Sequence, residues 1–133
     1  MHFCRALTSW QMRCNNLQNV VATTYKKVLQ LYAKRACKKH IYGNKLDKII
    51  LYGSYARGDN TEESDIDIMI LLDCDKAEIE EFRDKTYDMA NDISLDEDVF
   101  LSILLRDNKH FQENLDVLPF YKNIMREGVT VYE

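Results

Sequence analysis

The stretch of sequence that decides the fold spans residues 51–72 and reads LYGSYARGDNTEESDIDIMILL. Two apolar runs bound it, and a polar segment with two glycines separates them. This pattern predicts a strand over 48–52, a loop or short helical turn over 53–64, and a second strand over 65–72. The acidic start and apolar end of the second strand predict a central position in the sheet, with catalytic residues at one end of the strand.

Two aspartates mark the start of the second predicted strand. Because alternate side chains of a strand share a face, Asp65 and Asp67 should point the same way, with Cα atoms ~7 Å apart. Ile66, Ile68 and Ile70 would then face the core. Two carboxylates held together repel each other, and a divalent cation such as Mg²⁺ relieves that repulsion. The pattern therefore indicates either a metal site or a solvated pair of acids at a strand end.

A second feature, Gly53-Ser54, lies at the end of the first predicted strand. Glycine lets the backbone approach a phosphate closely, and the Ser54 hydroxyl can add a hydrogen bond. Arg57, in the same loop, could clamp a phosphate or pair with Asp59 or Glu62 on the surface. The Gly-Ser and the paired aspartates each lie at a strand end. Together they are a far more specific signal of a site for phosphate and metal than either feature alone.

A two-metal site needs a third acid, and the segment before the third predicted strand offers Asp96, Glu97 and Asp98. We predict that this strand covers 98–105 and that Asp98, which borders its apolar run most closely, completes the site. Asp96 is the alternative, because it would share a face with Asp98. A solvated acidic turn is the third interpretation of this segment.

Several aromatic residues lie near the motif or in the C-terminal segment. Tyr52 and Tyr55 flank Gly53-Ser54, and packing is their default role, with contact to a nucleotide base as the alternative. Phe120 and Tyr121 are expected to be core or partner contacts rather than catalytic groups.

Helices are predicted before and after the first two strands. Apolar residues at three- and four-residue spacing predict helices over 16–41 and 75–93. Asp75 is the expected N-cap of the second helix, since Glu78 completes a capping-box spacing.

The C-terminal part predicts two helices and a short strand. Pro119 cannot sit inside one continuous helix without breaking a hydrogen bond, so residues 108–127 are expected to form two helical pieces. Asp116 is the expected cap of the second piece, and Gly128 its end. A small edge strand is predicted over 129–132.

The chain has 133 residues, which is enough for one domain and too few for two ordinary ones. We expect a single domain over 15–133, preceded by a leader of unknown role over 1–14. Hydrophobic residues make up 46% and charged residues 30% of the chain, which supports a real core and argues against disorder. No apolar run approaches the ~20 residues of a membrane span, so no membrane partner is expected. The four cysteines form no CxxC pair, which favours reduced thiols in the cytoplasm.

Charge is distributed unevenly along the chain. Residues 1–46 carry nine Lys or Arg and no acid, a charge of +9, whereas residues 47–133 carry a charge of −13. The basic segment must face phosphate, an acidic partner, or the acidic remainder of its own chain, which is the simplest explanation. Direct binding of nucleic acid is not expected, because no aromatic residues that could stack on nucleobases are interleaved with the Lys and Arg residues.

The motif resembles that of the minimal nucleotidyltransferases of the polymerase β superfamily, whose pattern is Gly-Ser, ten residues and then DxD. In this sequence the matching residues are Gly53, Ser54, Asp65 and Asp67. The segment 117–128, VLPFYKNIMREG, is similar to the C-terminal helix of bacterial members of this group.

The resemblance implies an α+β fold in which a small mixed β-sheet is flanked by helices, with the metals at one edge. It implies that Asp65 and Asp67 hold two Mg²⁺ ions and that Asp98 completes the metal that activates the acceptor. It also implies that Gly53 and Ser54 bind the β and γ phosphates of the nucleotide, with ATP as the expected donor. An acceptor hydroxyl would attack the α-phosphorus, and pyrophosphate would leave.

The resemblance covers about residues 16–130 and also carries an expectation about the acceptor. The chain has no room for the helical drug-binding domain that antibiotic-modifying relatives append. In the minimal family the usual partner is a small helical HEPN toxin, an RNase, which the nucleotidyltransferase neutralises by adenylylating a tyrosine. The first hypothesis is therefore an antitoxin that acts as a protein adenylyltransferase. The alternatives are a transferase for a small hydroxylated molecule, bound across a homo-oligomer, and a non-catalytic antitoxin that acts by contact.

Overall fold

The computed structural model describes residues 23–39 and 41–132. The leader over 1–14 and the first part of the helix predicted over 16–41 lie outside the described residues. The order of the remaining elements confirms the predicted succession of helix, strand, strand, helix, strand and helix. In chain order the elements are α1 (Thr23–Lys39), a 3₁₀ turn (Gly43–Lys45), β1 (Leu46–Tyr52), α2 (Ser54–Arg57), β2 (Ile66–Leu72), α3 (Lys76–Glu97), β3 (Leu101–Asp107), α4 (Asn108–Glu113), α5 (Pro119–Glu127) and β4 (Val129–Tyr132).

The four strands form one mixed sheet in the order β3-β2-β1-β4. β1 pairs antiparallel with β2 and with β4, whereas β2 pairs parallel with β3. β2 is therefore central, as predicted, and all of its residues are buried except Asp67, which is half-buried. The mixed sheet with flanking helices confirms the predicted α+β class.

Helices cover both faces of the sheet, because β2 is apolar on both. One face carries the even-numbered residues of β2 and packs with residues of α1 and α3 in the larger core cluster. The other face carries Met69 and Leu71, which pack with Phe111 of α4 and with Tyr121 and Ile124 of α5. Since side chains alternate along a strand, Asp67 lies on this second face, the one that α4 and α5 cover.

The prediction that the third strand begins at Asp98 is wrong. α3 continues to Glu97, and β3 begins only at Leu101. The helix ends at Asp98, whose φ of 53° is left-handed and whose N–H donates to the carbonyl of Ser94. The polar residues before Asp98 therefore form the last turn of a helix rather than the start of a strand.

The described part of the basic segment 1–46 contacts the acidic remainder of its own chain, which was the simplest of the three predicted explanations. Three ion pairs connect it to α3, with N–O distances between 3.0 and 3.5 Å: Lys27–Glu97, Arg35–Asp96 and Lys45–Glu78. Two of them involve the last turn of α3. Although each exposed pair contributes little free energy by itself, charge complementarity with α1 favours continuation of the helix through these acids.

The predicted division of residues 108–127 into two helices, with Pro119 at the break, is confirmed. The N-cap predicted at Asp116 for the second helix is wrong. The N-cap of α5 is Leu118, which makes no side-chain capping bond. Pro119 follows as the first helical residue, where its missing N–H costs nothing. The aspartate that does cap a helix here is Asp107, which accepts a hydrogen bond from the His110 N–H of α4 at 2.7 Å.

Asp75 caps α3 as predicted, by accepting a hydrogen bond from the Glu78 N–H at 2.9 Å. The neighbouring Cys74 is a free thiol, and it is the one cysteine whose side chain is among those described. Within the described ranges, no helix combines the length and the apolar character needed to cross a membrane.

Gly128 joins α5 to the sheet, and its N–H donates to the Ile124 carbonyl at 2.7 Å. A Cβ atom at this position would overlap the Ile124 carbonyl oxygen and lie 2.7 Å from Ile50 Cγ2. We expect Gly128→Ala to lower the free energy of unfolding by about 1–3 kcal/mol, because close-packed groups must move. Thr130→Ala, at an exposed position of β4, is the control and should cost less than about 1 kcal/mol. Urea unfolding measures both, and equal effects would contradict tight packing at Gly128.

Candidate active site

Gly53 and Asp67 meet where β1 ends and β2 begins. The register pairs Tyr52 with Asp67, so Gly53 follows directly after the residue opposite the carboxylate. Gly53 has a φ of 75°, a conformation that L side chains rarely adopt. A Cβ atom there would also collide with Asp67 Oδ2 and lie 3.2 Å from Asp67 Cγ. Glycine is therefore required both by the backbone and by the carboxylate that occupies the adjacent space.

The short helix α2 turns the chain directly after Gly53. Its single turn is closed by the Arg57 N–H, which donates to the Gly53 carbonyl at 3.1 Å. Gly58, with a φ of 82°, ends the turn by donating from its N–H to the Ser54 carbonyl at 2.9 Å. Since Ser54 and Arg57 are three residues apart on this turn, their side chains lie on one side of it.

A cavity of about 350 Å³ gathers most of the predicted site. Its lining includes Gly53, Ser54, Arg57 and Asp67, four of the six residues predicted from the sequence. Asp65 and Asp98 are not among the lining residues. The rest of the lining comes from the end of β1 and from α5: Tyr52, Phe120, Asn123, Ile124 and Glu127.

The electrostatics of the cavity centre on Asp67. Burial raises the pKa of its carboxyl group, the charge of Asp65 raises it further, and Arg57 partly opposes both. The two carboxylates therefore interact electrostatically, as their alternate positions on the strand predicted. Paired carboxylate oxygens that repel are the donor set that a hard cation such as Mg²⁺ prefers, so Asp65 and Asp67 fit such an ion.

The structure does not bring Asp98 together with Asp65 and Asp67 in the predicted three-carboxylate cluster. In the β2–β3 pairing, the residue beside Asp67 is Ser102. Asp98 lies before the strand as the C-cap of α3, and Asp96 pairs with Arg35. Among the described residues, no three His, Cys, Asp or Glu side chains are grouped so that they could hold a metal ion.

Arg57 stands at the edge of the cavity between two carboxylates. Its Nε donates to Asp59 Oδ2 at 3.2 Å, and its Nη1 to Glu127 Oε2 at 3.5 Å. The hydrogen bond to Asp59, followed by that to Glu127, raises the pKa of the guanidinium. The pairing with Asp59 was one of the predicted alternatives, and Glu127 is an additional partner. The phosphate-binding role of Arg57 stays a prediction.

The contribution of α5 to the cavity lining was not identified from the sequence. Phe120 was expected to be a core or partner contact, and Asn123 and Glu127 received no role. The Phe120 ring meets that of Tyr52 edge to face, with centroids 5.8 Å apart. Burial, and then the charge of Asp67, raises the pKa of Tyr52 to about 12, so this phenol stays protonated at neutral pH. The available signal was the spacing of residues 120, 123 and 127, which places them on one helix face.

A comparison with known protein families matches residues 31–129 to the nucleotidyltransferase domain. The chain belongs to this family. The matched region contains Gly53, Ser54, Asp65 and Asp67, the residues that carry the motif. The chain is therefore a nucleotidyltransferase, and the mixed sheet flanked by helices is the nucleotidyltransferase fold.

Two relatives found by sequence agree with the family assignment. The chain is 36% identical over 94 residues to "Putative protein adenylyltransferase MJ0604" of Methanocaldococcus jannaschii, a match that covers 71% of this chain and 86% of the relative. It is 62% identical over 32 residues to "Putative protein adenylyltransferase MJ0141" of the same organism, covering 24% of this chain and 32% of that one. Among solved structures, a crystal structure of a toxin-antitoxin with AMP-PNP is similar at 21% identity and a TM-score of 0.44, covering 76% of this chain and 72% of the other.

The two glycines that flank α2 offer a matched pair of substitutions. Gly53→Ala combines a left-handed backbone with a collision against Asp67, whereas a Cβ atom at Gly58 would meet nothing within 4 Å. We expect Gly58→Ala to lower the free energy of unfolding by about 1 kcal/mol, through backbone strain alone. Gly53→Ala should cost about 1–3 kcal/mol more, because the carboxylate must move. Thermal and urea unfolding compare the variants, and a larger cost at Gly58 would contradict this account.

The raised pKa of Asp67 predicts a pH-dependent effect on stability. A carboxyl whose pKa is higher in the folded than in the unfolded state destabilises the fold once pH rises above that pKa. We therefore expect Asp67→Asn to raise the melting temperature slightly at pH 7 and to have less effect at pH 3. The gain should be small because water screens a half-exposed carboxylate. Asp84→Asn, at an exposed position of α3, is the control, and destabilisation by Asp67→Asn at pH 7 would contradict the prediction.

Proposed function

We propose that this nucleotidyltransferase moves AMP from ATP, in the presence of Mg²⁺, to a tyrosine hydroxyl of a HEPN RNase toxin and acts as its antitoxin. The observation that carries the proposal is the cavity in which Asp67 lies directly against Gly53, with Ser54 and Arg57 on the same lining. A phosphate-contacting backbone and a metal-binding carboxylate thus share one space. Relatives named as protein adenylyltransferases support AMP as the transferred group and a protein as the acceptor.

Each motif residue has a distinct part in the proposed reaction. Gly53 leaves its backbone open to the β and γ phosphates, and the Ser54 hydroxyl donates to one of them. Arg57 adds a positive charge at the cavity edge. Asp65 and Asp67 would hold Mg²⁺, which when bound neutralises the attacking and leaving oxygens.

The chemistry is a single in-line displacement at the α-phosphorus. The acceptor oxygen forms a bond to phosphorus, the bond from phosphorus to the pyrophosphate oxygen breaks, and the hydroxyl proton passes to solvent. Pyrophosphate keeps the electron pair of the broken bond. The cavity residues contribute by positioning the phosphates in line with the incoming hydroxyl, which replaces a costly encounter of separate molecules.

Exposed apolar side chains near the metal-binding edge support a protein acceptor over a small polar one. The Phe100 carbonyl accepts a hydrogen bond from the Ile66 N–H at 2.8 Å, so Phe100 lies beside the start of β2, where Asp65 stands. Phe100 is 77% exposed, and Leu95, near the end of α3, is 83% exposed. Contiguous apolar patches open to solvent are typical of protein contact surfaces, and we propose that Phe100 belongs to such a patch.

The decisive test removes the paired carboxylate charge without changing its shape. Asp65→Asn/Asp67→Asn should reduce AMP transfer to a co-expressed HEPN toxin by more than about 100-fold, because the metal loses its ligands. Asp84→Asn/Asp88→Asn, which removes two exposed charges from α3, should leave transfer unchanged. Mass spectrometry of the toxin tyrosines measures the product, and calorimetry with ATP and Mg²⁺ measures binding.

Two outcomes would favour the alternatives. If the Asp65→Asn/Asp67→Asn variant still neutralises the toxin completely, the chain acts by contact and catalysis is not needed. If the wild-type chain binds ATP with Mg²⁺ but modifies only small hydroxylated molecules, the protein acceptor is wrong. Either result leaves the family assignment intact.

A further inference from the structure

The cavity has two unlike walls. The phosphate wall consists of Gly53, Ser54 and Arg57 and comes from the motif. The second wall, here called the α5 wall, consists of Phe120, Asn123, Ile124 and Glu127 and adjoins the first through the Arg57–Glu127 pair. Three of these four side chains carry no charge, so this wall does not suit a triphosphate. If the phosphates occupy the first wall, as the proposed function has it, the α5 wall is left to contact the rest of the nucleotide.

Phe120 offers a flat apolar surface to the cavity. Its side chain is 46% exposed although its ring already contacts that of Tyr52 edge to face, at an interplanar angle of 87°. The contact with Tyr52 fixes the orientation of the ring and occupies only part of its surface. A nucleobase can stack on an aromatic face held in this way. Every nucleobase can stack on an aromatic ring, and the larger ring systems of the purines stack most strongly.

Asn123 offers hydrogen-bond donors in the same wall. Its Oδ1 accepts from the Arg126 guanidinium at 3.0 Å, and a guanidinium can only donate, which fixes the oxygen on that side. The remaining polar group of the amide is its NH₂, with two N–H donors. These donors suit a ligand atom with a lone pair, such as a ring nitrogen of a purine.

Glu127 does not compete for that ligand. Its Oε2 pairs with Arg57 at 3.5 Å and its Oε1 with Arg126 at 3.3 Å, so both carboxylate oxygens have cationic partners. The negative charge at the end of α5 is therefore balanced by side chains of the protein. Phe120 and Asn123 remain as the members of the wall with groups available to a nucleoside.

We propose that the nucleobase of the substrate stacks on Phe120 and that the Asn123 amide donates to a ring nitrogen of a purine, which makes the α5 wall the determinant of nucleotide choice. This inference rests on the proposed function only in that the triphosphate occupies the phosphate wall. It assigns to a C-terminal surface helix the discrimination among nucleotides that the motif itself does not provide.

The test compares nucleotides with inorganic tripolyphosphate, a probe that has no nucleoside. In calorimetry with Mg²⁺, the wild-type chain should bind ATP more tightly than CTP, UTP or tripolyphosphate. Phe120→Ala should weaken ATP binding by about tenfold or more and leave tripolyphosphate binding unchanged, because only stacking is lost. Phe120→Trp should restore ATP binding. Met125→Ala on α5, at a side chain that is also half exposed but does not line the cavity, is the matched control and should have no effect.

Asn123 is tested by reversing its hydrogen-bonding character. Asn123→Asp replaces the donors with acceptors at the same size and should weaken ATP binding by about tenfold, with a reduced preference for ATP over UTP. Unchanged binding of ATP to Phe120→Ala, or an equal loss of ATP and tripolyphosphate binding, would overturn the inference. Failure of the wild-type chain to bind either ATP or tripolyphosphate would overturn the proposed function, and the inference with it.

Discussion

The Asp67 carboxylate fills the space that Gly53 leaves by having no side chain, and the rest of the site depends on this contact. It requires glycine at the end of β1, because a Cβ atom would collide with Oδ2. It requires the antiparallel register that sets Tyr52 opposite Asp67. It also brings the turn of α2, with Ser54 and Arg57, to the same cavity as the carboxylate. One steric constraint thus couples strand pairing, turn conformation and the position of the charge.

This contact works against stability, and the surrounding sheet compensates for it. Asp67 is held half-buried within reach of the Asp65 charge, an arrangement that disfavours ionisation. The other six residues of β2 are all buried and pack against helices on both faces. A central strand with two apolar faces stabilises the fold enough to keep a repelling pair of acids at its end. A bound cation would relieve this repulsion.

The local parts of this arrangement could be predicted from the sequence, and the tertiary parts could not. Strand alternation was sufficient to put Asp65 and Asp67 on one face, and the resemblance to the minimal nucleotidyltransferases implied that Gly53 and Asp67 belong to one site. The last turn of α3 was mistaken for a strand start, because its acids Asp96 and Glu97 are held by bases of α1 that are distant in sequence. The α5 wall was missed because Phe120 and Asn123 reach the cavity only through the packing of α5 on the sheet.

The two walls of the cavity also differ in how freely they can change during evolution. The phosphate wall depends on the backbone conformation and steric fit of Gly53, so a side chain at that position disturbs the fold and the site at once. Apart from the buried Ile124, the α5 wall is built from half-exposed and exposed side chains of a surface helix, where substitutions usually leave stability nearly unchanged. If α5 sets nucleotide choice, as we propose, homologous chains can diversify along this helix and acquire new ligand preferences while the reactive centre is inherited intact.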